Sequence, residues 1–122
     1  MTIDLSGEWI FDGHPFDAPY AGQIRLTLKQ SGTSISGDLL QLQDPFSGKP
    51  PANPEATRAE VAGELIEDTQ TGNDLVILKR LNTNDAFRAV FIGVLSQAQN
   101  SVSGTFINTV RKAGSFVMVK QS

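Results

Sequence analysis

Cysteine is absent from the 122-residue chain. No disulfide can support the fold, and thiolate catalysis and cysteine-ligated zinc or iron–sulfur centres are excluded. Histidine, tryptophan and tyrosine occur once each, as His14, Trp9 and Tyr20. With one histidine and no Gly-x-Ser-x-Gly elbow, nothing marks a Ser-His-Asp triad. Asp12, His14 and Asp17 could chelate a cation by spacing alone, but the pattern is unspecific, and His14 between Gly13 and Pro15 reads as a loop residue. Basic residues number 10 against 13 acidic ones, for a net charge of −3. With no Lys or Arg cluster either, a nucleic-acid surface is not expected. No apolar run approaches the ~20 residues of a membrane-spanning helix. Met1 to Gly7 shows neither the charged nor the apolar region of a secretory signal. The expectations are a cytoplasmic protein with no membrane or nucleic-acid partner, no cofactor and no metal.

Hydrophobic residues make up 39% of the chain and charged residues 19%, enough apolar mass for a core. The length fits one domain spanning 1–122. Eleven glycines are spread along it, which disfavours long helices. Ile24-Arg25-Leu26-Thr27-Leu28-Lys29 alternates apolar and polar residues, as a half-buried strand does. Gln30-Ser31-Gly32-Thr33 then makes a tight turn. One phrase recurs: apolar, any, Gly, any, apolar, centred on Gly37, Gly63, Gly93 and Gly104. Period-two alternation puts each Gly and its flanking apolar residues on one strand face, where glycine lets a sheet bend sharply. The strands expected are 5–12, 22–30, 33–42, 57–67, 74–81, 86–96, 101–110 and 114–120. Their close succession reads as an all-β, up-and-down antiparallel barrel of about eight strands. Glu64, Glu67 and Asp68 are not a paired-carboxylate site, since Glu64 points out and Asp68 lies in a turn.

Two connections are long: 13–21, and the Pro-rich loop 43–56 with Pro45, Pro50, Pro51 and Pro54. In a meander, alternate connections share an end, so these two guard one mouth, the usual ligand site of a small barrel. Trp9, Phe11, Leu26, Leu39, Leu65, Phe87, Phe91, Leu95 and Phe106 would fill the lumen. Gln41 and Asn108 share the inward parity near the mouth, where a buried amide must find a partner. With Phe11, Tyr20 and Phe87 they make the candidate ligand contacts. Tyr20 and Phe46 could act as lids on the long loops or simply anchor them.

Gly7-Glu8-Trp9, opening the first strand, resembles the Gly-x-Trp signature of the calycins, the lipocalin and avidin superfamily. The hairpin ending in Ile35-Ser36-Gly37-Asp38-Leu39 resembles avidin-type second and third strands, and Val102-Ser103-Gly104-Thr105-Phe106-Ile107 has a similar pattern. The resemblance implies a barrel whose first-strand Trp closes the narrow end, with ligand entering from the other. The chain departs from the avidin pattern. Phe11 stands where that pattern has a ligand-binding Asn, Leu39 and Gln41 where it has Tyr and Ser, and Trp9 lacks further Trp to box a ligand. Biotin is therefore not the implied ligand.

Leu75-Val76-Ile77-Leu78 and Ala89-Val90-Phe91-Ile92-Gly93-Val94-Leu95 are apolar on both faces, as in strands covered on both sides. A subunit interface through Val76, Leu78, Val90, Ile92 and Val94 is expected, joined by Val117 and Val119, with a dimer as the simplest closed form. The Pro-rich loop folding over that face is the alternative. Three functions are compatible with the sequence. One is a non-catalytic barrel binding a small, partly apolar ligand at its mouth. The second is a filled oligomeric barrel acting as an interaction or structural protein. The third, less favoured, is an enzyme such as a barrel isomerase.

Overall fold

A computed structural model describes residues 3–11, 23–43, 47–81, 88–109 and 111–121 of the chain. Its strands are β1 Gly7–Phe11, β2 Gln23–Ser31, β3 Ser34–Gln43, β4 Ala59–Ile66, β5 Leu75–Leu81, β6 Ala89–Leu95, β7 Ser101–Asn108 and β8 Ala113–Lys120. They pair in sequence order, and β8 returns to β1, closing the barrel. Every pairing is antiparallel. The sole helical piece among the described residues is a 3-10 turn at Pro54–Thr57, capped by the Asn53 carboxamide, which accepts from the Glu55 N–H. The Pro-rich loop thus ends in one short regular turn.

Local chemistry explains the elements. The β2–β3 hairpin pairs Ser31 with Ser34 across two turn residues. Gly32 there adopts φ +62°, a conformation that a residue with a Cβ reaches only at a cost. Alternation then sets the faces: Ile24, Leu26 and Leu28 of β2 are buried while Thr27 and Lys29 are exposed. The recurring glycine phrase has a sharper cause than bending alone. A Cβ added to Gly37, Gly63 or Gly104 would overlap the carbonyl oxygen of Thr27, Ile77 or Ile92, respectively, on the neighbouring strand. Closure brings adjacent backbones closer at these inward positions than any side chain permits. Gly93 and Gly104 face each other across β6 and β7.

Twenty hydrophobic residues form one continuous core, and no polar or charged residue is buried among the described ones. Each large apolar side chain so removed from water contributes about 1.5–3 kcal/mol. The lumen is filled: Trp9, Phe11, Leu26, Leu28, Leu65, Leu78 and Met118 are less than 2% exposed.

One expectation about the outer face is corrected here. Val76 and Leu78 are each 1% exposed and belong to the core. Val76 pairs with inward Gly93, and Leu78 with inward Phe91 and Gly63. Register with those neighbours, which a two-sided apolar run cannot reveal, turns Leu75 and Ile77 outward instead.

The end that carries the tight turns is corked by the N-terminal segment. Leu5 is fully buried there, with Ile3 packed against the core. The Trp9 indole N–H donates to the Leu5 carbonyl at 2.9 Å. Gln30 clamps the segment: its Oε1 accepts from the Leu5 N–H at 2.8 Å, and its Nε2 donates to the Ile3 and Gly32 carbonyls at 2.9 Å. The Lys120 ammonium adds a bond to the Asp4 carbonyl at 3.1 Å.

Candidate functional site

Because strands alternate in direction, the strand ends joined by the connections 12–22, 44–58, 82–88 and 109–112 all lie at the end opposite this cork. The floor of that end is aromatic. Phe11 and Phe91 have ring centroids 5.4 Å apart, and Phe116 stands edge-on to both at 5.7 and 5.6 Å. Phe106 extends the cluster from Phe91 at 6.4 Å. Such offset and edge-on arrangements are favoured by the ring quadrupoles.

Above the floor the wall changes character. On β5, β6 and β7 the residues Arg80, Ala89 and Asn108 stand side by side in register. On β2 and β3, Ile24 pairs with Gln41. Arg80, Gln41 and Asn108 are half-buried and continue the inward parity of Leu78, Leu39 and Phe106, respectively. Among the described residues the lumen is thus apolar between its ends, and half-buried polar residues continue the inward parity at both: Gln30 and Lys120 at the cork, and Arg80, Gln41 and Asn108 at this rim. Ala59 and Ala89 keep the wall thin at the same level.

Two of the rim groups are engaged in holding loops. The Asn108 Oδ1 accepts from the Lys112 N–H at 3.0 Å, and its own N–H donates to the Lys112 carbonyl at 3.0 Å. Asn108 thus folds the β7–β8 turn, in which Arg111 adopts φ +62°. The Gln41 N–H donates to the Thr57 hydroxyl at 2.9 Å, and that hydroxyl donates to the Pro54 carbonyl at 2.6 Å. This links the 3-10 turn to β3. The Gln41 carboxamide itself has no hydrogen-bond partner among the described residues.

The expected contacts sort as follows. Gln41 and Asn108 lie at the rim. Phe11, 1% exposed, is a core side chain beneath it. Tyr20 and Phe87 lie outside the described residues, as do Phe46, Asp12, His14 and Asp17. Arg80 was missed by sequence reasoning, because the run 75–78 is apolar on both faces and gives no parity of its own. The signal that finds it is the β5–β6 register, which sets Arg80 beside Ala89.

Outside the barrel, Arg58 straps the loop to β3. Its Nε and Nη2 donate to the Glu55 carboxylate at 2.8 and 2.9 Å, and its Nη1 to Asp38 at 3.1 Å. Arg58 holds the Glu55 carboxyl below its ordinary range, chiefly by hydrogen bonding. The groove there encloses about 570 Å³ between Lys29, Asp38, Glu55, Arg58 and Glu60. Asp68 caps the β4–β5 turn, accepting from the Thr71 hydroxyl at 2.8 Å and the Gln70 N–H at 2.9 Å, which lowers its pKa. Among the described residues no three metal-ligating side chains come together, and no helix is long and apolar enough to cross a membrane. No protein-family model matches the chain, and neither a curated protein nor a solved structure matches it.

Proposed function

We propose that the protein is a non-catalytic binding barrel that seats a small, partly apolar ligand at its loop-bearing end. The observation that carries this is the difference between the polar groups at the two ends of the lumen. At the corked end the half-buried Gln30 and Lys120 are bonded to the N-terminal segment, whereas at the loop-bearing end Arg80, Gln41 and Asn108 crown the twenty-residue apolar core. A half-buried carboxamide without a partner among the described residues favours a ligand that supplies one. The filled interior restricts that ligand to a seat on the aromatic layer, with its apolar part on Phe106 and Phe91 and its polar part toward the rim. The calycin resemblance supports the same reading, since the first-strand Trp lies at the corked end and the opposite end is left for ligand.

The test is native mass spectrometry of protein purified from its own host, followed by titration with 1-anilinonaphthalene-8-sulfonate as an apolar, anionic probe. A co-purifying small molecule displaced by the probe is expected, with probe binding lost in Gln41→Trp and kept in Ile92→Glu. Bare protein that leaves the probe unbound, or binding indifferent to Gln41→Trp, overturns the proposal.

A second reading is favoured by the completeness of the core. A barrel whose interior is occupied by a continuous apolar core suits an interaction or structural protein that works through its outer wall.

A further inference from the structure

The charges on the barrel wall are sorted by face. Four carboxylates lie on the strands, Glu8, Asp38, Glu60 and Glu64, and all four are exposed at outward positions. Two charged residues continue the inward parity, Arg80 on β5 and Lys120 on β8, and both are basic. Acidic residues outnumber basic ones in the chain, 13 to 10. Yet among the described residues the inner face of the wall carries positive charge and no negative charge. Lys120 belongs to the cork, where its ammonium donates to the Asp4 carbonyl. Arg80 is the inward charge of the loop-bearing end.

We propose that the ligand seated at this end is an acid, with an aryl or alkyl body on the phenylalanine layer and a carboxylate or sulfonate paired to Arg80. This class of ligand presupposes the seat proposed above and adds the sign of the charge it takes.

Half-burial selects the sign. A guanidinium keeps its charge when it is desolvated, and the water it loses is best replaced by a hydrogen-bonded anion. The residues that flank Arg80 in register, Val61 on β4 and Ala89 on β6, have no polar side-chain atom, so neither supplies such a group. Arg80 is engaged in the structure. A guanidinium nonetheless presents five N–H donors, of which an oxyanion takes two side by side. The neighbouring polar groups suit an anion as well. The Gln41 carboxamide, without a partner among the described residues, offers N–H donors. The Asn108 Oδ1, an acceptor that would repel the oxygens of an acid, is occupied by the Lys112 N–H at 3.0 Å. A cationic ligand would meet Arg80 with no inward carboxylate on the described strands to offset it, and a neutral one would desolvate Arg80 further without a counter-charge.

Two probes of one shape separate the acid from the seat. 1-Anilinonaphthalene-8-sulfonate and N-phenyl-1-naphthylamine share an aromatic body, and only the first carries a sulfonate. Each is titrated into the full chain and followed by its fluorescence. The wild type is expected to bind the sulfonate more tightly than the amine. Arg80→Gln should lower the sulfonate-to-amine affinity ratio by about tenfold or more, the scale of a charge-assisted hydrogen bond. Arg80→Lys restores the charge without the planar fork and should keep part of the preference. The wild-type preference and Arg80→Lys carry the test if Arg80→Gln fails to fold. The outward row Val90, Ile92 and Val94 is an apolar surface on which either probe can adsorb. Ile92→Ser thins that surface without adding charge and should leave the ratio unchanged. An amine that binds as tightly as the sulfonate and is blocked by Gln41→Trp, or a ratio indifferent to Arg80→Gln, overturns the acid while the seat stands. A wild type that binds neither probe overturns both.

Discussion

Replacing Gly104 by alanine adds one methyl group to the inner face of β7, where the structure has no room for it. The new Cβ would overlap the Ile92 carbonyl oxygen and lie 2.5 Å from the Gly93 Cα and 2.7 Å from the Ile92 carbonyl carbon. These are backbone atoms of the paired strand, so no rotamer change relieves the contact. β6 and β7 must separate locally, lengthening ladder hydrogen bonds worth about 1 kcal/mol each. Overfilling a core with side-chain neighbours costs about 1–3 kcal/mol, and a backbone obstacle places this site at the upper end, about 3 kcal/mol. Unfolding entropy of about 2.1 cal/mol/K per residue amounts to about 0.26 kcal/mol/K for the chain, so the midpoint should fall by about 12 °C. Two variants calibrate the result. Gly72 has nothing within 4 Å of an added Cβ but sits at φ +75°, so Gly72→Ala should cost about 1 kcal/mol in backbone strain alone. Ser103→Ala, exposed on the same strand, should change stability by less than about 0.5 kcal/mol. Urea denaturation followed by far-UV circular dichroism gives all three values. Gly104→Ala no less stable than Gly72→Ala would refute the reasoning that closure draws the strands together at this glycine.

Two further outcomes follow from the cork and from the surface charges. Gln30→Ala removes the acceptor for the Leu5 N–H and the donor to the Ile3 and Gly32 carbonyls, for an expected loss of about 1–2 kcal/mol. Trp9, fully buried in the native barrel, should then show red-shifted emission and stronger acrylamide quenching; quenching equal to that of the wild type would count against the clamp. Acid stability should be governed by exposed carboxylates. Asp4, Glu55 and Asp68 have folded pKa values lowered by hydrogen bonds from Ser6, Arg58 and Thr71, respectively. Each therefore contributes stability above its unfolded pKa that is lost as pH falls through the lowered folded value. The thermal midpoint should stay flat from neutral pH down to about 5 and decline below about 4; a decline centred near pH 6 would contradict this.

Much of the architecture was legible in the chain. All eight strands lie within a few residues of the segments read from alternation and turn chemistry, because period-two patterning and a glycine at positive φ are local properties. The end shared by the two long connections was legible too, since strand order in a meander decides which connections lie together. Failures fell where local pattern is silent. Val76 and Leu78 looked like outer residues because β5 is apolar on both faces, and the same ambiguity hid Arg80. Gln30 resembled an ordinary turn-flanking polar residue, and its role depends on a backbone segment 24 to 27 residues away.

What this chain carries without its fold is the strand count, the order of the meander, the inward set Trp9, Leu26, Leu39, Leu65, Phe91 and Phe106, and the absence of cysteine chemistry. These follow from residue types and spacing alone. Closure of the sheet settled the rest. Antiparallel pairing assigns a face to each strand through its neighbour, so β5 acquired its parity only against Gly63 and Gly93. Closure also requires backbones to meet at Gly37, Gly63 and Gly104, and it gathers Arg80, Gln41 and Asn108 around one rim. Those three residues are scattered through the sequence, and they share a level because a barrel of eight antiparallel strands brings alternate strand ends to the same end.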